Sequence, residues 1–296
     1  MTRNIKIAVC MYGQLRTAEY CAPWIKESFN IPQNSRINIF SKEFDCHHFY
    51  IGSEECTFQV DYFLHFKDFN IYVNTKGDPD FLEAKPIPVS QDYIDRVLAI
   101  YNPIKYERMS HEEERFLNNG IKNTYVTMFY SIASALRLKR ENEIETGVPY
   151  DLCFVHRYDA INGPTIESFR NKLTGSNFLP LNLFVPSDPL RWKWENWRLG
   201  PNDMFFGGDN LAVEMVMADI SRLYSSENQI MLGDEIGGPN IILGRAAANA
   251  GIGLHTDHGI IPAVVRHSAD LANNPVFSSW QYHQQFWLSN HKSTEL

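Results

Sequence analysis

An α/β fold built on a mainly parallel central sheet is predicted by three observations. Short β-rich runs alternate with stretches of helical apolar spacing, which is the pattern of a strand–helix repeat. One run, Tyr150-Asp151-Leu152-Cys153-Phe154-Val155, is almost continuously apolar, as a strand covered on both faces must be. Pro and Gly punctuate the ends of the helical stretches, at Pro103 and at Gly147-Val148-Pro149.

Taken in order, Ile5-Lys6-Ile7-Ala8-Val9-Cys10-Met11 reads as the first strand. Cys21, Trp24, Ile25, Ser28 and Phe29 follow at i, i+3, i+4, i+7 and i+8 and predict a helix. Ile37 to Phe40 and Asn70 to Asn74 are the next strand candidates, separated by a polar, His-containing stretch. Tyr93, Val97, Leu98 and Tyr101 make one apolar face of a helix that ends before Pro103, and Ile104 to Arg108 is a short strand candidate. From Thr124 to about Glu145, Met128, Ile132, Ala135, Leu136 and Leu138 form an amphipathic stripe. The strand Tyr150 to Val155 follows and ends in the polar cluster His156-Arg157-Tyr158-Asp159. Phe178 to Val185 and Met204 to Phe206 complete the strand candidates, with helices over Asn210 to Tyr224 and Asn240 to Ala250. No repeat or Gly/Ser/Pro-rich linker divides the chain, so 1–296 reads as one domain with a more helical middle at about 90–145.

Composition narrows the function. With 296 residues, 44% hydrophobic, 13% aromatic and 21% charged, the chain can bury a sizeable core. Lys+Arg 27 against Asp+Glu 35 leaves a net charge of −8, which removes the electrostatic footing for nucleic-acid binding. No stretch reaches the roughly 18 apolar residues of a membrane span, and the first strand has neither the flanks nor the cleavage site of a signal peptide. A cytoplasmic protein is expected. The five cysteines are scattered without a CxxC pair, which fits reduced, buried thiols better than a disulfide framework or a zinc ribbon.

Ligands of an open α/β sheet collect at the carboxyl ends of the strands, which directs attention to two loops. Tyr12-Gly13-Gln14-Leu15-Arg16-Thr17 offers a glycine for close backbone approach, an amide and a guanidinium fork for phosphate or carboxylate. It is neither a GxxxxGK[ST] nor a GxGxxG loop. The second is the His156 to Asp159 cluster.

Ile7 through Thr17 resembles the opening strand and "SGQLRT" loop of a family of glycosyltransferases found in capsule and lipopolysaccharide gene clusters and in large viruses. Tyr150 through Asp159 is similar to that family's "YDlviRtRpD", Asn202 through Gly208 to its "nDqfaiGs", and Tyr101 through Glu107 to a "y.Pk.y.iE" stretch. The four segments occur in the family's order and span most of the chain. The resemblance implies a GT-A fold, a Rossmann-like α/β/α sandwich. Such a fold binds a nucleotide-diphosphate sugar and passes the sugar to a glycan or lipid-linked acceptor, in the host cytoplasm for a viral member. Many enzymes of GT-A fold hold a divalent ion, Mn²⁺ or Mg²⁺, against the diphosphate with a DxD motif, so the resemblance implies such an ion. Here that motif reads Arg157-Tyr158-Asp159, with a cation in place of the first carboxylate. Asp159 is therefore a metal-ligand candidate, Arg157 an alternative direct contact to the phosphates, and no metal at all is a third outcome.

Gly13, Gln14, Arg16, Thr17, Arg157 and Asp159 are the donor-binding candidates. Asp203, ahead of the Met204 strand, is the first candidate for the base that takes the acceptor's proton; Asp234 and Glu235 compete with it. His258, among the late histidines His255, His258 and His267, is a second metal candidate, although their spacing is not a zinc signature. Trp192, Trp194 and Trp197 stand among Arg, Lys and Glu and are candidates for an acceptor wall on which sugar rings stack; a loop pinned by its tryptophans is the alternative. A non-catalytic carbohydrate-binding protein on the same fold is the rival reading, motivated by the incomplete DxD and these tryptophans.

Overall fold

The computed structural model describes residues 3–33, 35, 37–41, 50–51, 56–70, 86–118, 124–162, 166–186, 204–223, 239–257 and 262–264. The chain starts with strand β1 (Arg3–Gln14), which runs three residues past Met11, and then helix α1 (Ala18–Phe29). Strands β2 (Asn38–Ser41) and β3 (Tyr50–Ile51) pair with each other away from the main sheet. Strand β4 (Cys56–Lys67) follows, then the short antiparallel pair β5 (Phe69–Asn70) and β6 (Ile87–Pro88).

Helix α2 (Gln91–Tyr101) starts where Ser90 accepts from the Tyr93 N–H and stops where Asn102 turns left-handed at φ 46° ahead of Pro103. Strand β7 (Lys105–Met109) leads to α3 (His111–Asn118), whose start is a capping box. The Ser110 N–H donates to Glu113 at 2.6 Å and the Glu113 N–H to the Ser110 hydroxyl at 3.2 Å. Helix α4 (Thr124–Thr146) ends at Gly147, whose φ of 67° is the left-handed conformation that a helix C-cap requires.

The second half contains β8 (Leu152–Arg157), β9 (Ala160–Asn162), α5 (Ile166–Gly175), β10 (Asn177–Phe178), β11 (Asn182–Pro186), β12 (Phe205–Asp209), α6 (Asn210–Leu223), α7 (Pro239–Asn249), β13 (Gly253–Asp257) and β14 (Pro262–Val264). The predicted Phe178–Val185 strand is two strands, because Leu181 turns left-handed at φ 55° between them. Asn70 is the last described residue of the predicted 70–74 strand; the rest of that segment lies outside the described residues.

The main sheet has seven strands in the order β13-β11-β12-β8-β1-β4-β7. The pairs β1–β4, β1–β8, β4–β7 and β11–β13 are parallel, while β12 runs antiparallel to both its neighbours. Alternation along β1 splits its side chains between two cores. Ile5, Ile7, Val9 and Met11 pack with Ile25 and Phe29 of α1, Val97 of α2 and Phe169 of α5. Ala8, Cys10 and Tyr12 pack on the other face with Ile132 and Leu136 of α4, Val213 of α6 and Leu243 of α7. The architecture is therefore helices on both faces of a mostly parallel sheet. Cys10, Cys21, Cys56 and Cys153 are buried free thiols. Among the described residues no helix is long and apolar enough to cross a membrane.

Strand β12 lies so close to β8 that a Cβ on Gly207 would stand 2.5 Å from the Cys153 carbonyl oxygen and 2.7 Å from Phe154 Cα. Backbone cannot yield as a flexible side chain does, so Gly207→Ala is expected to cost about 1–3 kcal/mol, read as a lower urea midpoint.

Candidate active site

Sheet order alone locates the crevice. From β1 the chain builds outward through β4 and β7, then returns to the opposite side of β1 to lay down β8. The strand order reverses between β1 and β8, and at such a switch point the flanking loops diverge and leave a cleft at the carboxyl ends. The register sets Tyr12 of β1 opposite Arg157 of β8 and Gln14 opposite Lys67 of β4, so all three strands end at the same edge.

Gly13 takes a φ of 109°, which side-chain-bearing residues rarely adopt, and a Cβ there would meet no atom within 4 Å. The glycine answers to conformation and not to crowding. It also belongs to the strand: Tyr12, Gly13 and Gln14 pair with His65, Phe66 and Lys67.

Arg16 is held at three points. Its Nε donates to Gln14 Oε1 at 2.8 Å, its backbone N–H donates to Asn70 Oδ1 at 3.2 Å, and its carbonyl lies 3.2 Å from the Tyr93 hydroxyl. That hydroxyl also accepts from the Glu19 N–H at 3.1 Å, which ties the loop to α1 and α2 together. Thr17, at the N-cap position of α1, is buried, and its hydroxyl faces the Cys21 thiol at 3.8 Å. Burial pushes that thiol up to about 12, with a further contribution from Asp159.

Arg157 ends β8 and Asp159 lies in the turn between β8 and β9, where their side chains meet, while Tyr158 between them is fully buried against Tyr101. Arg157 Nε donates to Asp159 Oδ1 and its Nη2 to Oδ2, each at 2.9 Å; Nη1 of Arg16 stands 3.8 Å from Oδ2. The Asp159 side chain is 4% exposed against 13% for Arg16 and 22% for Arg157, so the carboxylate lies deeper than the two guanidiniums. Two permanent cations thus converge on one buried carboxylate.

Behind Arg157, the buried His156 ring fixes the backbone. Its Nδ1 lies 2.7 Å from the Arg157 carbonyl, which only accepts, so Nδ1 carries the proton; its Nε2 then accepts from Asn162 Nδ2 at 2.8 Å. Burial among Phe29 and Phe205 pushes this imidazole down to about 4, so it is neutral in the fold. Met204 accepts from the Arg157 N–H at 3.0 Å and holds the other side. On the β4 side, buried Lys67 pairs with Glu114 of α3 and approaches Thr127 of α4 at 3.5 Å.

The two loops of the sequence reading therefore meet, and Gln14, Arg16, Arg157 and Asp159 form one bonded cluster. Lys67, Asn70, Tyr93 and Asn162 were not anticipated at the site, and His156, part of the second loop, was given no role. Alternation from Cys56 through Val60 to Phe66 would have revealed β4 and with it Lys67, but Asn70 and Tyr93 act through tertiary contacts with no local signature. Asp203, Asp234, Glu235, Trp192, Trp194, Trp197, His258, His267 and the His47-His48 pair lie outside the described residues. His255 sits in β13 with its ring stacked 6.2 Å from Phe184.

The divalent ion implied by the family resemblance needs carboxylate oxygens that are open to it. Both oxygens of Asp159 accept from Arg157, and Arg16 adds a second positive charge, so this carboxylate does not fit a metal ligand in the arrangement seen. Among the described residues no three His, Cys, Asp or Glu side chains gather into a possible ion site.

No family model matches the chain, and no curated protein matches it. Among solved structures, a proposed nucleotide-diphospho-sugar transferase from Desulfovibrio desulfuricans is similar at 7% identity and a TM-score of 0.34, with 98% of this chain and 99% of that one covered. Mouse xyloside xylosyltransferase 1 is similar at 13% identity and a TM-score of 0.35, with 86% and 85% covered.

Proposed function

We propose that the protein is a glycosyltransferase of GT-A type that moves a sugar from a nucleotide-diphosphate donor to a glycan or lipid-linked acceptor. The observation that carries this reading is the pair of guanidiniums gripped by buried Asp159 at the β1/β8 switch point. Cleavage of the anomeric carbon–oxygen bond leaves positive charge on the sugar and negative charge on the departing diphosphate. Preorganised cations at the leaving group stabilise that charge separation without reorganising during the step. The resemblance of residues 7–17 and 150–159 to one glycosyltransferase family supports the same reading, since those segments supply this cluster.

In this scheme Gly13, Gln14, Arg16 and Thr17 shape the donor pocket, and one of Asp203, Asp234 and Glu235 takes the acceptor proton. Trp192, Trp194 and Trp197 line the acceptor side. A thermal-shift screen of UDP-, GDP-, TDP- and CMP-sugars tests the reading. Donor at about 100 times its dissociation constant should stabilise by about 2.7 kcal/mol, a rise of roughly 4–5 °C for a chain of this length. Stabilisation by one nucleotide family supports it; stabilisation by free oligosaccharides and by no nucleotide would instead favour a carbohydrate-binding protein. With the donor found, Arg157→Ala is expected to lower kcat by about 10²–10³-fold, as loss of a preorganised charge donor does, in a steady-state transfer assay.

A further inference from the structure

We propose that His156 and Asn162 are positioning residues: the hydrogen bond between their side chains closes the turn from β8 to β9 and so sets the Arg157–Asp159 pair. This rests on the sugar-transfer reading, which gives that pair its place beside the leaving group.

The first support is topology, which leaves the turn without a backbone ladder of its own. Strand β8 pairs with β1 and β12 in the main sheet, whereas β9 pairs with β14 in a separate two-stranded sheet. The chain from Arg157 to Ile161 therefore leaves one sheet and enters another. The bond from Asn162 Nδ2 to His156 Nε2, at 2.8 Å, ties the end of β9 back to β8 across it.

The second support is the chemistry of the two side chains. Leu152 and Phe154, on the same face of β8 as His156, are apolar and buried, and the imidazole packs against Phe29 and Phe205 with ring centroids at 6.5 and 5.3 Å. An apolar side chain would fill this place without the penalty of burying two ring nitrogens. Both nitrogens instead reach the turn: Nδ1–H donates to the Arg157 carbonyl at 2.7 Å, and Nε2 accepts from Asn162. Burial keeps the ring neutral against the pull of the Arg157 carbonyl and Asp159, so Nε2 stays an acceptor. Asn162 is buried as well, and with Nδ2 committed to the ring its Oδ1 has no hydrogen-bond partner among the described residues. Its amide is thus oriented at the expense of an unsatisfied acceptor.

The third support is what the turn carries. The backbone of Arg157 is held by His156, and its guanidinium by both oxygens of Asp159, each at 2.9 Å, two residues further on. A change in the path of the turn moves guanidinium and carboxylate relative to each other, and a charged pair assists a reaction only in a fixed orientation.

Nuclear magnetic resonance of the free wild-type chain, which needs neither a variant nor a donor, reads the ring directly. Its nitrogen shifts should show the proton on Nδ1, and a ring protonated at Nε2 would overturn the inference. In Asn162→Leu, which keeps the branched shape and removes the donor, exchange of the Arg157 Nε–H should accelerate about 3- to 10-fold, the worth of one neutral hydrogen bond. Amides of α4, on the opposite face of the sheet, should keep their rates. Asn162→Asp rebuilds the bond with its polarity reversed, because a carboxylate only accepts and draws a proton onto Nε2, so exchange should return toward the wild-type rate. With the donor found, Asn162→Leu should lower kcat roughly 10- to 100-fold.

An Arg157 Nε–H that exchanges in Asn162→Leu as in the wild type would overturn the inference. So would equal acceleration throughout α4, which marks a general loss of stability, or an unchanged kcat. An Asn162→Asp variant as loose as Asn162→Leu would overturn it too. A turn that loosens as expected in a protein that binds no nucleotide and transfers no sugar would keep the His156–Asn162 tie and remove the sugar-transfer reading.

Discussion

Acidification through pH 6.5 to 4 is expected to remove roughly 3 kcal/mol of folding stability for each of two buried histidines. His65 and His156 are both pushed down to about 4, chiefly by burial, from an ordinary value near 6.5. Arg137 and Lys67 reinforce the shift at His65 against Glu113, with Glu107 Oε2 at 3.9 Å; at His156, the Arg157 carbonyl and Asp159 oppose it. In this window the unfolded chain carries up to two protons that the folded chain refuses. Stability is therefore complete above about pH 6.5 and falls as the pH drops toward 4.

Urea midpoints measured across this range should decline with a slope approaching two protons. Imidazole resonances followed by NMR should show two rings still neutral near pH 5, where exposed histidines have titrated. A flat urea midpoint between pH 7 and 5 would contradict the burial of both rings. The consequence reaches the site, because protonated His156 loses its Nε2 acceptor and with it the bond from Asn162.

Replacement of Lys139 by Met is expected to destabilise the protein by about 3–5 kcal/mol, the cost of orphaning buried partners of an ion pair. Lys139 is fully buried on α4, and its Nζ lies 3.0 Å from Glu143, 2.8 Å from Glu214 and 2.6 Å from Asn210 Oδ1. Desolvation works against its charge, yet the surroundings, Cys153 and Glu214 foremost, hold its pKa above the ordinary lysine value. Methionine preserves much of the stem and deletes the ammonium, leaving two largely buried carboxylates facing each other across the α4–α6 contact. Glu214 keeps Arg140, whereas Glu143 keeps only neutral donors, the Asn210 amide and the Tyr150 N–H. Chemical denaturation of Lys139→Met measures the loss, and adding Glu143→Gln and Glu214→Gln should recover part of it. A single variant as stable as the wild type would show that the ammonium holds nothing together.

Much of the helical framework is legible without coordinates because its signals are local. The stripe from Met128 to Leu138 and the Gly147 stop define α4 to within a residue, and Ser90 with Asn102-Pro103 brackets α2. The S-x-x-E box at Ser110 was equally readable and marks α3. Strand β4 is harder to read: its amino half alternates, but His65 and Lys67 are polar side chains in a buried strand, and burial is a property of the neighbours. The strand at Ile37–Phe40 was readable as a strand, yet nothing local assigns it to a separate small sheet instead of the main one.

By itself, the sequence determined the α/β class, the central burial of the Tyr150–Val155 run and the polar cluster from His156 to Asp159 that follows it. These follow from periodicities of two and 3.6 residues that every segment carries on its own. Only the tertiary structure decided that β1 and β8 are neighbours, that Arg16 therefore reaches Asp159, and that both oxygens of this carboxylate accept from Arg157. Strand order arises from long-range pairing and packing, and the state of a carboxylate depends on which charges that packing delivers to it.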